Sequence, residues 1–448
     1  MTRESWGSRF GFIMATAGFA IGLGNIWRFP YLTGMNGGGA FLIVYLAIAL
    51  LIGIPLFTAE ISLGRKAQLT PIAGMRKLTG RAGSPWNLVG WVGVTAAFLI
   101  ITYYFVLIGW VLIYVLRTAL GSFRDMPPEQ IASAFGEIVA NPALTIPALA
   151  FAIVFTGLVV TRGLQRGVER ANKVLMPTLF VTLVVLAIGS LTLPGAMEGL
   201  RWYLAPDFNK ITTASVQAAL GQVFFSIGVG MAGGWVYGSY LNPASSDVPG
   251  GAATVVGFDT FAAFTAGLVM FPAVFAFGLA PDSGPGLLFV TMSNVFARAP
   301  FGALVGGVFF FLIFIAAITS AIGLVEALAS SAMDSLRLSR TQAVWGLLAV
   351  LFVLGIPIAL SQGPWADITV FGRNFFDLFD FVAGNVLLPL SGLMIALYVG
   401  WAWGFERFQA ETNVGARTMR VAGYWKPLVT FLIPTAIVVV LLRSIGLF

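Results

Sequence analysis

The sequence predicts an all-α polytopic membrane protein of about eleven spanning helices, two inverted halves of five with one helix to spare. Three observations carry this expectation. Only 10% of the 448 residues are charged while 58% are hydrophobic, and the mean hydropathy is +0.92. Apolar runs long enough to cross a bilayer recur along the whole chain. Two of those runs, the first and the sixth, are broken by glycine at corresponding places.

A soluble domain covers its surface with charge, roughly a quarter of its residues. That coat is missing here, so lipid is the expected surrounding. The chain has no cysteine and no histidine, which removes disulfides, thiolate or imidazole metal sites, cysteine nucleophiles and the commonest general base. No HExxH, Ser/Lys or paired-aspartate motif stands out around Glu60, Asp259 or Glu326, so the chain is read as a non-enzyme. The net charge of +7 reads as the positive-inside bias of a membrane protein and implies no nucleic-acid partner.

A spanning helix needs about 20 apolar residues. Such runs lie near 10–33, 41–64, 88–117, 142–161, 174–193, 213–240, 250–279, 301–332, 342–360, 376–403 and 426–446. The connections carry the punctuation, as at Pro127-Pro128, Pro194-Gly195 and the 281–285 stretch. With the N-terminus in the cytoplasm, 17 of the 25 Lys and Arg fall on inner segments. The expectation is therefore a multi-pass protein of the inner (plasma) membrane, N-terminus cytoplasmic and C-terminus outside. The charged start runs directly into the first apolar segment, with no cleavable signal evident.

The first segment reads Gly18-Phe19-Ala20-Ile21-Gly22-Leu23-Gly24-Asn25, and the sixth Ser226-Ile227-Gly228-Val229-Gly230-Met231-Ala232-Gly233-Gly234. They share an ordinal position if residues 7–193 and 213–406 form two repeats, followed by an extra helix at 426–446. Five helices per repeat forces the second to insert upside down. Interrupted helices at matching places point to a transporter binding site. Glycine for close helix packing is the plainer explanation of either run alone; a matched pair with polar neighbours favours the site. An unwound stretch frees backbone groups that lipid cannot satisfy. Freed carbonyls suit a hard cation, and half-helix N-termini suit a carboxylate.

The run Gly22-Leu23-Gly24-Asn25-Ile26-Trp27-Arg28-Phe29-Pro30, followed by Asn36-Gly37-Gly38-Gly39-Ala40-Phe41, resembles the signature of the neurotransmitter:sodium symporters. Tyr103-Tyr104, Gly167 ten residues before Pro177, Gln222-Val223-Phe224-Phe225-Ser226, the 316–320 stretch and the 377–380 stretch agree in order. The resemblance spans essentially the whole chain. It implies the LeuT-type fold, with eleven helices as in a bacterial subset, and sodium-coupled symport by alternating access.

By this resemblance a first sodium site falls on Ala20, Asn25 and Ser226 with the substrate carboxylate. The seventh segment offers Phe258 or Asp259 at the remaining position; Asp259 is chosen because a carboxylate can ligate sodium. A second site uses carbonyls of Gly18, Ile21 and Ala316 and the hydroxyls of Thr319 and Ser320. Two sodium ions are thus implied. Tyr45, Gln222 and Ser226 match the family's chloride neighbours, with Ala262 or Ala263 at its Ser/Glu position. Asp259 is expected to supply the negative charge, making transport chloride-independent.

Amine-transporting relatives carry Asp where this chain has Gly22, so the substrate is expected to bring its own carboxylate. It would meet Ala20, Leu23, Gly24, sodium and the Tyr104 hydroxyl. Its amine would meet carbonyls near Phe19, Phe225 and Ser226. Phe19, Ile100, Phe225, Gly228, Met231, Ser320 and Leu324 would border the side-chain pocket. No ionic partner for a charged side chain is evident, although Glu326 lies one helical step away. Neutral hydrophobic or aromatic L-amino acids are favoured; a smaller aliphatic substrate is the alternative, because Phe19 is bulky. Arg28 with Asp380 matches the family's outer gate, and Arg3 with Asp334 its inner gate, assisted by Trp6 and Tyr240. Gly167 through Pro177 suggests a start of the fifth helix that can unwind. The competing readings are a non-transporting sensor of the same fold and a sodium pore. The sequence is silent on oligomeric state.

Overall fold

The computed structural model describes residues 4–281 and 286–444, so Arg3, part of the 281–285 stretch and the last two positions of the 426–446 run lie outside the described residues. Among those described, secondary structure is helical apart from two isolated β-bridges. Nine continuous helices are long and apolar enough to span a bilayer, and Arg9–Ala20 with Gly24–Met35 form a tenth, bent span. Thr213–Ile227 and Gly233–Ser239 form a further broken pair. Eleven segments result.

Helix 1 is the bent pair Arg9–Ala20 and Gly24–Met35, helix 2 Gly39–Ala67, helix 3 Pro85–Ala119, helix 4 Pro142–Val160 and helix 5 Leu164–Leu191. Helix 6 is the broken pair Thr213–Ile227 and Gly233–Ser239. Helix 7 is Val248–Ala276, helix 8 Gly302–Leu336, helix 9 Arg340–Leu360, helix 10 Phe375–Ala402 and helix 11 Trp425–Arg443. All eleven fall where the apolar runs predicted them, with one boundary corrected. Helix 5 starts at Leu164, ten residues before the apolar run. Gly163, at φ 88°, provides the turn, and Gly167 packs so tightly on the Val159 carbonyl that no side chain fits. The first turns of helix 5 carry Arg166, Arg170 and Lys173, which hydropathy counts as loop.

Helix 8 is the central column. In its most apolar stretch 89% of residues are buried, against 28% in helix 5. It packs most extensively on helix 3 and also against helices 1, 5 and 9. An apolar helix with its whole circumference covered sits inside the bundle, and one with an open face meets lipid.

Helices 1 and 6 both come apart near their middles. In helix 1 the regular pattern ends at Ala20, Ile21 is extended, and the two halves are bent by 53°. In helix 6 three residues of five have positive φ: Gly228 at 74°, Gly230 at 81° and Ala232 at 63°. Glycine adopts that conformation freely; Ala232 does so at a cost of about 1–2 kcal/mol.

The freed backbone groups find side chains. Gly22 N donates to Asn25 Oδ1 at 3.0 Å and Leu23 N to Tyr104 Oη at 3.0 Å. Gly24 O accepts from Gln222 Nε2 at 2.7 Å. Gly230 N and Trp235 N donate to the two oxygens of Glu60, at 2.9 and 3.4 Å. Buried backbone left without partners would be costly in this setting.

Candidate functional site

Asn25 follows the helix 1 break and faces helices 6 and 7. Its Nδ2 donates to Ser226 Oγ at 2.9 Å, to the Asp259 backbone oxygen at 2.9 Å and to Asp259 Oδ1 at 2.7 Å. The Ser226 hydroxyl lies 3.1 and 2.9 Å from the two carboxylate oxygens, and Tyr45 Oη lies 3.4 Å from Oδ2. All four residues are buried. Of the two helix 7 candidates, Asp259 enters this cluster; Phe258 packs its ring on Phe180 at 5.2 Å. Ala262 and Ala263 are also buried and bring no polar side chain. Every group bonded to the Asp259 carboxylate is neutral. A buried carboxylate among neutral donors, with amide and carbonyl oxygens beside it, is a donor set suited to a hard monovalent cation.

A second oxygen cluster lies between helices 1 and 8. Ser320 Oγ is 3.1 Å from Gly18 O, 3.0 Å from Ile21 O and 3.3 Å from Ala316 O. Thr319 Oγ1 is 2.9 Å from Ala316 O. All five oxygens expected of the second site are thus brought together. Two of the carbonyls come from the last turn and break of helix 1, where Ile21 N still bonds to Ala17 O but Gly22 N turns to the Asn25 side chain.

Near these clusters stand the residues expected to border the substrate. A Cβ at Gly22 would stand 2.5 Å from Tyr104 Oη and 2.6 Å from Ser320 Oγ, so a side chain there would displace both hydroxyls. The Phe19 ring fills the space left by Gly228 and Gly233 on helix 6 and Gly323 on helix 8, where any Cβ would strike it. Ile100, Met231 and Leu324 are buried in the same core. Ala20 closes the first half of helix 1, and Gly24 abuts the Phe225 ring.

Above Leu23, Tyr104 and Phe225 opens a cavity of about 320 Å³, bordered also by Arg28, Tyr103 and Asp380. Arg28 and Asp380 share this cavity without a direct ion pair. The guanidinium instead lies over the Phe225 ring, 4.8 Å from its centroid, an attraction of cation to ring quadrupole. At the N-terminal side, Trp6 Nε1 donates to Tyr237 O at 3.0 Å and its ring meets Tyr240 edge-on at 5.9 Å. Asp334 accepts from Thr70 N at 2.9 Å; its expected partner Arg3 lies outside the described residues.

Sequence reasoning did not anticipate the contacts that three residues make. Glu60, weighed only as a possible enzyme acid, holds the helix 6 break together. Its signal was available: a lone carboxylate in an apolar segment is functional by default. Arg340 was counted only as an inner-side charge. It pairs with the buried carboxylate of Glu326, Nη1 to Oε2 at 2.6 Å, and also binds Glu4. Tyr240 Oη and Ser330 Oγ add bonds to Glu326 Oε1 at 2.7 and 3.0 Å. Glu326 is thereby committed to Arg340 and is no free ionic partner for a substrate. Gln222, matched to the family's chloride neighbours, donates to the helix 1 break.

Comparison with known proteins agrees with this architecture. A family model described as the sodium:neurotransmitter symporter family matches residues 3–128 and 130–448. An uncharacterized sodium-dependent transporter of Bacillus subtilis is 40% identical over 99% of this chain and 98% of its own length. The human sodium- and chloride-dependent creatine transporter 1 is 27% identical over 91% of this chain and 72% of its own. The crystal structure of MhsT in complex with L-phenylalanine superposes with a TM-score of 0.90 at 42% identity, covering 99% of this chain and all of that one. The broken helices, their oxygen clusters and these likenesses agree: this LeuT-type, multi-pass membrane protein belongs to the sodium:neurotransmitter symporter family and is a sodium-dependent transporter of small molecules, not an enzyme.

Proposed function

We propose that this transporter carries neutral hydrophobic or aromatic L-amino acids with two sodium ions, by alternating access and without chloride. The observation that carries this reading is the meeting of Asn25, Ser226 and Asp259 beside both helix breaks. One sodium would be held by Ala20, Asn25, Ser226, Asp259 and the substrate carboxylate. The other would be held by Gly18, Ile21, Ala316, Thr319 and Ser320. The substrate carboxylate completes one sodium shell, so each ligand pre-forms the other's site and their affinities are linked reciprocally. An inward sodium gradient then drives uptake. Gly22 supports a substrate that supplies its own carboxylate. The L-phenylalanine bound to MhsT supports an apolar side chain.

In the same reading, Asp259 supplies the charge that chloride supplies elsewhere, because Tyr45 and Ser226 are already bonded to its carboxylate. Residues 7–193 and 213–406 act as inverted repeats, the N-terminus lies in the cytoplasm of the plasma membrane and the C-terminus outside. Arg28 and Asp380 close the outer path, while Trp6, Tyr240, Asp334 and Arg3 close the inner one. A smaller aliphatic substrate is the second reading, favoured by the Phe19 ring that fills the glycine-lined space.

The deciding experiment is uptake of labelled amino acids into proteoliposomes, with and without an inward sodium gradient, preceded by a thermal-shift screen of the twenty amino acids in sodium against potassium. Phenylalanine, tryptophan or leucine should stabilise in sodium alone and accumulate with the gradient. Stabilisation by alanine or glycine only would select the second reading. Sodium-dependent binding without accumulation would reject transport of that ligand.

A further inference from the structure

The amide of Asn172 on helix 5 uses only its donor half in hydrogen bonding. The residue is fully buried, its Nδ2 donates to Val168 O at 2.9 Å, and its Oδ1 has no hydrogen-bond partner. The donor half of the amide is anchored to its own helix, which turns the oxygen outward. It turns toward Gly18: a Cβ built there would land on Asn172 Oδ1, and would lie 3.3 Å from Thr319 Cβ. The lone oxygen therefore stands where helices 1, 5 and 8 meet, beside two residues of the second oxygen cluster. Orphaned buried acceptors are rare enough that each calls for a ligand or a function.

We propose that Asn172 Oδ1 is a further sodium ligand at the second site, contributed from helix 5; this rests on the reading of that site given above. The five expected oxygens come from helices 1 and 8 alone. An uncharged amide oxygen is the kind of donor a hard cation takes, and it adds the third wall of the site. It also links the ion to helix 5. Asn172 is anchored on Val168, the fifth residue of the π-helical opening turns Leu164–Glu169. Unwinding of those turns removes the anchor and withdraws the oxygen from the ion. Sodium occupancy and the wound form of helix 5 thereby favour one another.

The test uses the full-length protein in lipid nanodiscs, at saturating amino acid, with sodium titrated against potassium at constant ionic strength and thermal stability as readout. Asn172→Ala should raise the sodium concentration for half-maximal stabilisation about tenfold, the scale of one lost ion–dipole contact. Asn172→Asp should need less sodium than Asn172→Ala. Hydrogen exchange adds a readout that plain packing would not move. Sodium should protect residues 164–172 in the parent protein, and this protection should be absent in Asn172→Ala. A wild-type titration with wild-type protection in Asn172→Ala overturns the proposal. If that variant does not fold, Asn172→Asp decides: an unchanged sodium requirement overturns the proposal, a lowered one supports it. Thr319→Ala separates the two layers of argument. Sodium dependence unaltered by Thr319→Ala removes the site itself; dependence weakened there but not at Asn172 removes only this inference.

Discussion

The side chains of Asn25 and Asp259 meet 2.7 Å apart, an amide from the broken first helix against a carboxylate from the continuous seventh. The bond places the only negative charge of the cluster beside the freed carbonyls of helix 1. It also divides labour between the two: Asn25 shapes the break through Gly22, and Asp259 supplies the charge.

Asp259→Asn keeps the size and one acceptor oxygen but removes the charge. A lost charged contact is worth about 1.5–3 kcal/mol, so sodium binding in chloride-free medium should weaken roughly ten- to hundredfold. Chloride should recover part of that loss in the variant and do nothing for the parent. Sodium titrations in chloride and in gluconate measure both. A parent protein that needs chloride would remove the charge-balance argument.

Arg340 and Glu326 make the second testable pair, 2.6 Å apart with the carboxylate wholly buried. Arg340→Leu leaves that carboxylate unpartnered, at a cost of about 3–5 kcal/mol. The thermal transition should fall markedly. The double variant Arg340→Leu with Glu326→Gln should recover most of the loss, because no uncompensated charge remains. A double variant no more stable than the single one would show that Arg340 acts instead through Glu4 or through its 3.2 Å bond to the Val160 carbonyl.

These pairs mark what was legible in the sequence. Segment lengths were readable because bilayer thickness sets them, and both breaks were readable because clustered glycines interrupt otherwise apolar runs at matching places. Asn25, Ser226 and the Asp259 position could be located because each lies within or near a recognisable run. Glu60 with Gly230, and Arg340 with Glu4, were not readable. Each joins positions more than 150 residues apart, and no local pattern marks the partner. The apolar run alone placed the start of helix 5 too late, for a different reason. Hydropathy ends where Arg166, Arg170 and Lys173 begin, although long basic side chains can leave a helix end for water.

Asp247 gives a pH prediction at the N-terminal end of helix 7. Burial disfavours its charge, but hydrogen bonds from the Thr418 hydroxyl and from the Arg417, Gly250 and Thr418 amides outweigh that and hold the carboxyl below its ordinary value. A depressed carboxylate adds stability above its unfolded pKa, about 3.9, and loses it as pH falls through the lower folded value. Asp247→Asn should therefore be less stable than the parent at neutral pH, and the gap should close below about pH 4. Thermal unfolding of both proteins from pH 7 to pH 3 follows it. A gap that persisted at the acid end would assign the effect to packing.

Glu60 offers the strongest test of the broken-helix architecture. Its oxygens accept from Gly230 within the helix 6 break and from Trp235 in the half that follows it, and the residue is 1% exposed. Glu60→Leu fills similar volume but strands both amides in a medium without water, at about 1–3 kcal/mol each. Glu60→Gln keeps one acceptor and should fall between the leucine variant and the parent. The break itself lies beside Phe19 and the predicted substrate pocket, so loosening it should act on binding as well as stability. Amino-acid affinity at saturating sodium should weaken in the order parent, Gln, Leu, while the sodium requirement at the helix 1–helix 8 cluster stays closer to that of the parent. Equal loss of both would mean that Glu60 supports the whole bundle; a Leu variant that binds amino acid as the parent does would mean that helix 6 holds its broken form without it.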